Sequence, residues 1–146
     1  MMRVLLDTSC LIAAVMPQHE HHAATVADLS RRRTAGQQFV MAAHAVTEAY
    51  AVLTRLPPPH RLAPEDALAV LDRNWGKADT IALTAAESWR ALREYASAGV
   101  SGGRIYDGLI AHCARKGRAA EILTWNVRHF DAASSVRAVA PPARAG

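Results

Sequence analysis

The chain has 146 residues, of which 51% are hydrophobic and 21% charged, which excludes a largely disordered chain and allows one domain without a disulfide staple. Its net charge is +4, and fifteen of its seventeen basic residues are arginine, the side chain whose forked guanidinium suits phosphate. That favours a polyanionic partner, and an arginine-rich codon pool would leave the same composition.

The first apolar run, Val4-Leu5-Leu6, stops at Asp7-Thr8-Ser9. A short apolar run with polar punctuation predicts a buried strand with a carboxylate and two hydroxyls at its carboxyl end. In open α/β sheets that end binds ligands. The run breaks too early for a signal peptide, and no stretch approaches a membrane span, so a cytoplasmic protein is expected. Cys10 and Cys113 lie in apolar segments without CxxC or zinc spacing, which predicts buried free thiols in a reducing compartment.

Residues 11–16 continue as a short helix ended by Pro17, with Ser9 near its cap. The cluster His19-Glu20-His21-His22 adjoins a helix start and is expected to be an exposed, adventitious metal binder. A second helix is predicted over 21–33, with Ala24, Val26, Ala27 and Leu29 as its apolar side. Arg31-Arg32-Arg33 at its end suit the helix dipole as a solvated basic patch, or part of a partner surface. Phe39-Val40-Met41 reads as a second strand, followed by a helix over 44–56 with Val46, Ala49, Tyr50 and Leu53 on one stripe and Glu48 beside it.

Three prolines, Pro57 to Pro59, end that helix. Pro64-Glu65-Asp66 opens another, which carries Leu68, Val70 and Leu71. Residues 80–83 predict a third strand, and Thr84 with Glu87 a capping box for a helix over 85–98. A glycine-rich loop at 99–103 precedes a helix over 104–115 with Asp107 in its first turn. Residues 121–125 predict a fourth strand, with Asn126 at its carboxyl end, and residues 136–139 a fifth. Strands alternating with helices indicate one α/β domain over 1–140, built on a central, mostly parallel sheet of four to five strands flanked by helices, with a flexible tail at 141–146.

Most of the acids lie on polar helix faces or at helix starts. Asp7 ends a core strand, Glu48 sits in a mostly apolar helix, and Asp107 follows the glycine loop. Carboxylates driven toward a core are costly unless they converge on something positive, and a hydrated Mg²⁺ or Mn²⁺ suits a purely oxygen donor set. Zinc lacks a dominant His or Cys set. No P-loop or GxSxG is present, and neither cysteine has an evident His partner, which disfavours an activated nucleophilic side chain.

Asp7-Thr8-Ser9, Glu48, Arg104-Ile105-Tyr106-Asp107 and Leu123-Thr124-Trp125-Asn126-Val127-Arg128-His129-Phe130 together resemble the four motifs of PIN-domain ribonucleases, above all the VapC-type toxins of bacterial toxin–antitoxin pairs. The resemblance runs from Arg3 to about Val139 in the family's order and spacing. It implies a PIN-like fold and a metal-dependent endoribonuclease in which Asp7, Glu48 and Asp107 hold Mg²⁺ or Mn²⁺. Thr8 and Asn126 would support the site, Ser9 would orient Asp7, and Glu48 or Asp107 would take the proton of the attacking water. It also implies an RNA substrate, a small antitoxin and a homodimer, for which the helices over 43–56 and 64–71 offer surfaces.

Where many PIN domains carry a fourth acid this chain has Asn126, which favours a single bound metal; Asp131 lies too far along to replace that acid. Arg104, Arg128 and His129 are candidate phosphate contacts, with an ion pair to one of the acids equally expected of Arg104. His44 is expected to be a satisfied structural histidine, one turn before Glu48, and Trp75 and Trp89 are expected to pack. Asn126 and the arginine excess also fit a catalytically weak PIN-like module that binds RNA or protein. A metal-dependent phosphatase of small molecules is a third reading.

Overall fold

An unbroken apolar strand has to be covered on both faces, and Val4, Leu5 and Leu6 are wholly buried. In the computed structural model, which describes residues 1–130 and 136–142, they belong to β1, Arg3–Leu6, the central strand of a five-stranded sheet. Its neighbours are β2, Gln38–Ala42, and β4, Glu121–Leu123; β3, Asp79–Ile81, and β5, Arg137–Val139, form the edges. The order is β3-β2-β1-β4-β5, and every pairing is parallel. The α/β sheet flanked by helices is therefore as expected, and all its described pairings are parallel.

Six helices make the crossovers: α1 Thr8–Val15, α2 His22–Thr34, α3 Ala43–Arg55, α4 Pro64–Trp75, α5 Ala85–Ser97 and α6 Arg104–Lys116. A 3₁₀ turn, Val127–Phe130, follows β4. α1 packs on α2, α3 and α4, and α5 packs on α6; with the right-handed crossovers that parallel strands favour, the first four cover one face of the sheet and the last two the other. Among the described residues no helix is long and apolar enough to cross a membrane. Asp131 and positions 143–146 of the expected tail lie outside the described residues.

The helix after β1 begins earlier than its apolar pattern suggests. Cys10 and Leu11 already donate their backbone N–H groups to the Asp7 carbonyl, at 2.9 and 3.1 Å. Asp7 is thus the N-cap residue of α1, and Ser9 lies inside the first turn instead of capping it. In α3 the buried stripe is Ala45, Ala49 and Leu53; Ala49 and Leu53 are as expected, while Val46 is partly buried and Tyr50 is exposed.

The larger surprise is α2, whose buried residues are Thr25, Asp28, Leu29 and Arg32, while Val26 faces solvent. Arg32 Nε donates to Asp28 Oδ2 at 2.8 Å and Nη1 to Gln37 Oε1 at 3.0 Å, and Nη2 stands 3.8 Å from Glu121 Oε2 at the start of β4. Arg31 pairs with the other Asp28 oxygen, and the Arg33 guanidinium lies over Phe39 and Trp75. Arg32 is therefore buried in the fold, which corrects the expectation of a solvated basic helix end at that residue, while Arg31 and Arg33 stay exposed as expected. Trp75 packs as expected, and Trp89 does not: it is 61% exposed. Cys10 and Cys113 are free and buried, and burial raises both thiol pKa values, that of Cys113 to about 11.

Candidate active site

The sheet order reverses at β1: β2 and β3 extend it to one side, β4 and β5 to the other. Neighbouring chains leave that point in opposite directions, which opens a crevice beyond the carboxyl ends of the strands. Asp7 follows β1 and Thr124 follows β4, on either side of the crevice, and the Asp7 backbone N–H closes the seam on Leu123 O at 3.0 Å.

Asp7 is 6% exposed. A buried carboxylate needs donors, and two hydroxyls supply them at the same oxygen: Thr124 Oγ1 at 2.8 Å and Ser9 Oγ at 3.1 Å from Oδ2. Thr124 in turn accepts the Asn126 backbone N–H at 2.9 Å, and Ser9 accepts that of Trp125 at 3.0 Å. Ser9 stands where the resemblance put it, beside Asp7. Sequence reasoning gives Thr124 no role beyond its place in the fourth motif; its position directly after an apolar strand, mirroring Asp7 after β1, is the signal that finds it.

Glu48, Asp107 and Asn126 reach the same space from α3, α6 and the segment after β4. They line, with Asp7, Thr8, Ser9, His44, Tyr106 and His129, a cavity of about 670 Å³. Glu48 is exposed rather than driven toward the core, because it lies off the buried stripe of α3; its Oε2 accepts from Thr8 Oγ1 at 3.3 Å. Asp107 Oδ2 is 3.5 Å from His129 Nδ1. Gly108, the next residue, packs so closely on Tyr95 that an added Cβ would stand 2.5 Å from the ring, which seats the first turn of α6 against α5.

Burial raises the Asp107 pKa above its ordinary value, Asp7 and Glu48 raise it further, and His129 and Arg104 oppose them. His44 is not the satisfied histidine expected: its Nε2 is buried without a partner, and burial lowers its pKa against the opposing pull of Glu48 and Asp7. Arg104 and Arg128 are exposed and lie outside the cavity lining, and among the described residues neither forms an ion pair.

The cavity lining offers carboxylate oxygens, one amide and several hydroxyls beside His44 and His129, and the oxygen donors among them suit a hard cation. Among the described residues no three His, Cys, Asp or Glu side chains form a ready-made metal cluster. The three acids bracket the cavity without closing on a point, as a cation that keeps several of its waters allows. The histidine segment is not such a cluster either: His22 Nδ1 lies 2.8 Å from Ala13 O, and His21 stacks on Trp125.

A family model described as PIN domain matches residues 4–134. Ribonuclease VapC40 of Mycobacterium tuberculosis is 39% identical over 132 residues, covering 90% of this chain and 92% of the relative. Ribonuclease VapC27 of the same organism is 36% identical over 126 residues, 86% of each chain. Among solved structures, VapBC2 from Rickettsia felis bound to a promoter DNA fragment superposes with a TM-score of 0.69 at 16% identity, covering 95% of this chain and 98% of that one. VapC20 of Mycobacterium tuberculosis, a sarcin-ricin loop cleaving toxin, gives 0.67 at 14% identity, covering 88% and 94%. The structural neighbours carry the fold, the two relatives and the family model carry the kinship, and together they show that this chain belongs to the PIN-domain family, among its VapC-type ribonucleases.

Proposed function

We propose that the protein is a Mg²⁺- or Mn²⁺-dependent endoribonuclease that hydrolyses RNA phosphodiester bonds, and the toxin of a toxin–antitoxin pair. One observation carries the reading: three acids from three separate elements face one cavity at the point where the sheet order reverses, where burial holds the Asp107 carboxyl above its ordinary pKa and Asp7 and Glu48 add to it against the pull of His129. Asp7, Asp107 and Glu48 would hold the cation. When bound, it supplies a water of lowered pKa, orientation of the scissile phosphate and neutralisation of developing charge.

The chain's own residues do the rest. Ser9 and Thr124 fix the rotation of the Asp7 carboxylate, and Thr8 holds Glu48 over the cavity. Glu48 or Asp107 accepts the proton of the attacking water at a carboxylate oxygen. Asn126, exposed on the cavity wall, offers a carbonyl oxygen without charge, which suits one cation better than two. His129, beside Asp107, and the exposed Arg104 and Arg128 approach the phosphates on either side of the cut. A groove of about 340 Å³ between α3 and α4, lined by Val46, Tyr50, Leu68, Leu71 and Trp75, is the surface we assign to the antitoxin. The working form is a cytoplasmic homodimer, which sedimentation velocity of the free protein checks.

The test is cleavage of RNA by purified, antitoxin-free protein with and without Mn²⁺. Asp7→Ala and Asp107→Ala should each abolish turnover, a loss larger than the roughly hundredfold cost of changing groups behind a metal ligand, with the circular dichroism of the fold retained. Wild-type protein that binds Mn²⁺ and cuts no RNA overturns the reading. The alternative, a weakly catalytic RNA- or protein-binding module, draws on Asn126 and the absence of a ready-made metal cluster among the described residues. It expects Asp107→Ala to leave RNA affinity unchanged and wild type to show no turnover.

A further inference from the structure

Trp125, expected as the end of the fourth strand, lies just beyond β4 and is gripped by α2 at two points. Its indole Nε1 donates to Thr25 Oγ1 at 2.9 Å. Its rings lie parallel to the His21 ring, 3.8 Å between centroids at 9°. Thr25 is wholly buried, and its hydroxyl proton goes to the His21 carbonyl at 2.7 Å, so its oxygen is left to accept from the indole. One residue pair at the start of α2 thus fixes both the face and the edge of Trp125.

The other side of Trp125 reaches the acids. Its backbone N–H donates to Ser9 Oγ, and the one proton of that hydroxyl goes to Asp7 Oδ2 at 3.1 Å, the charged and nearer acceptor, over Thr124 Oγ1 at 3.3 Å. Thr124 is constrained alike by the Asn126 N–H and donates to the same oxygen. Among the described residues no side chain donates to Oδ1. A carboxylate with both donors on one oxygen keeps the other free for a ligand.

We propose that Trp125, held by Thr25 and His21, is a positioning residue that sets Asp7 for cation binding through its backbone amide and Ser9. The inference rests on the metal-dependent reading above, and its test separates the two.

Three variants, Thr25→Val, Trp125→Phe and His21→Ala, are compared with the conservative Thr25→Ser in full-length protein. The readouts are Mn²⁺ affinity by calorimetry, kcat and KM for RNA cleavage, and thermal stability. Loss of a group behind a metal ligand typically costs about 10- to 100-fold in affinity or activity, so Thr25→Val and Trp125→Phe should weaken Mn²⁺ by about tenfold or more and lower kcat at constant KM. Thr25→Ser should restore both. His21 is only half-buried, so His21→Ala tests the stacking arm even where a core variant fails to fold. Variants that lose thermal stability but keep wild-type Mn²⁺ affinity overturn the proposal. A wild type that binds Mn²⁺ without cutting RNA would overturn the nuclease reading alone, and the Mn²⁺ affinities would still decide the role of Trp125.

Discussion

Asp107 shows how one residue carries the site's electrostatic state. Its carboxyl, raised above the ordinary aspartate value chiefly by burial, holds its proton to higher pH in the folded state than in the unfolded chain. Between the two pKa values the folded protein binds more protons, so stability falls as pH rises through that window. At neutral pH and without metal the ionised group therefore opposes the fold. Asp107→Asn should raise the melting temperature of metal-free protein at pH 7, and the gain should vanish below the ordinary aspartate pKa, where both side chains are neutral. Excess Mn²⁺ should reverse the order, because the wild type gains the binding free energy. Calorimetry at two pH values with and without Mn²⁺ checks this, and a gain independent of pH would contradict it.

Among the elements, α5 followed the sequence and α2 departed from it. Thr84 Oγ1 accepts the Glu87 N–H at 3.1 Å, and Glu87 Oε1 accepts the Thr84 N–H at 2.8 Å, the reciprocal capping box that the spacing implies. Local rules were enough because all partners lie within four residues. Lys116, from the end of α6, was not foreseeable: its Nζ reaches Glu87 Oε1 at 2.6 Å and Ala82 O at 2.7 Å. The Lys116 hydrogen bond is the first reason that the Glu87 pKa falls to about 2, so its stabilisation holds above the ordinary glutamate pKa and is lost as pH falls toward 2. Thr84→Ala should cost about 1 kcal/mol in urea unfolding with Mn²⁺ affinity unchanged, since the site gathers at the opposite end of α6. In α2, by contrast, Ala24, Val26, Ala27 and Leu29 suggest an apolar side, and of these only Leu29 is buried, beside the polar Thr25, Asp28 and Arg32.

Over the whole molecule that polar face ties α2 to the sheet. Asp28 is buried against Arg32, which also approaches Glu121 on β4. Removing one member of a buried pair leaves an uncompensated charge, so Asp28→Ala should cost about 3–5 kcal/mol, less whatever Gln37 and Glu121 still provide. Arg32→Met in the same chain should recover part of it, a non-additivity that urea unfolding measures. The net charge of +4 acts at this scale too. Exposed Arg104 and Arg128 should contribute uniformly to RNA affinity, and each replacement by Ala should lower the slope of log affinity against log salt by about 0.7 for single strands; an unchanged slope would remove that residue from the RNA path.

The sequence by itself determined the parallel α/β sheet, because buried strands need unbroken apolar runs and crossovers need helices between them. It also singled out Asp7 and Asp107, whose places after a strand and at a helix start are local facts, and Ser9, two residues from the carboxylate it orients. Tertiary structure decided what depends on contacts between distant segments. Thr124 meets Asp7 only because β4 pairs with β1, 117 residues apart in sequence. Glu48 faces an open cavity only because α3 buries Ala45, Ala49 and Leu53, and Trp125 is pinned only because α2 turns Thr25 and His21 toward it. Local pattern encodes period and caps; partners contributed by another element are fixed by packing, which no window of sequence contains.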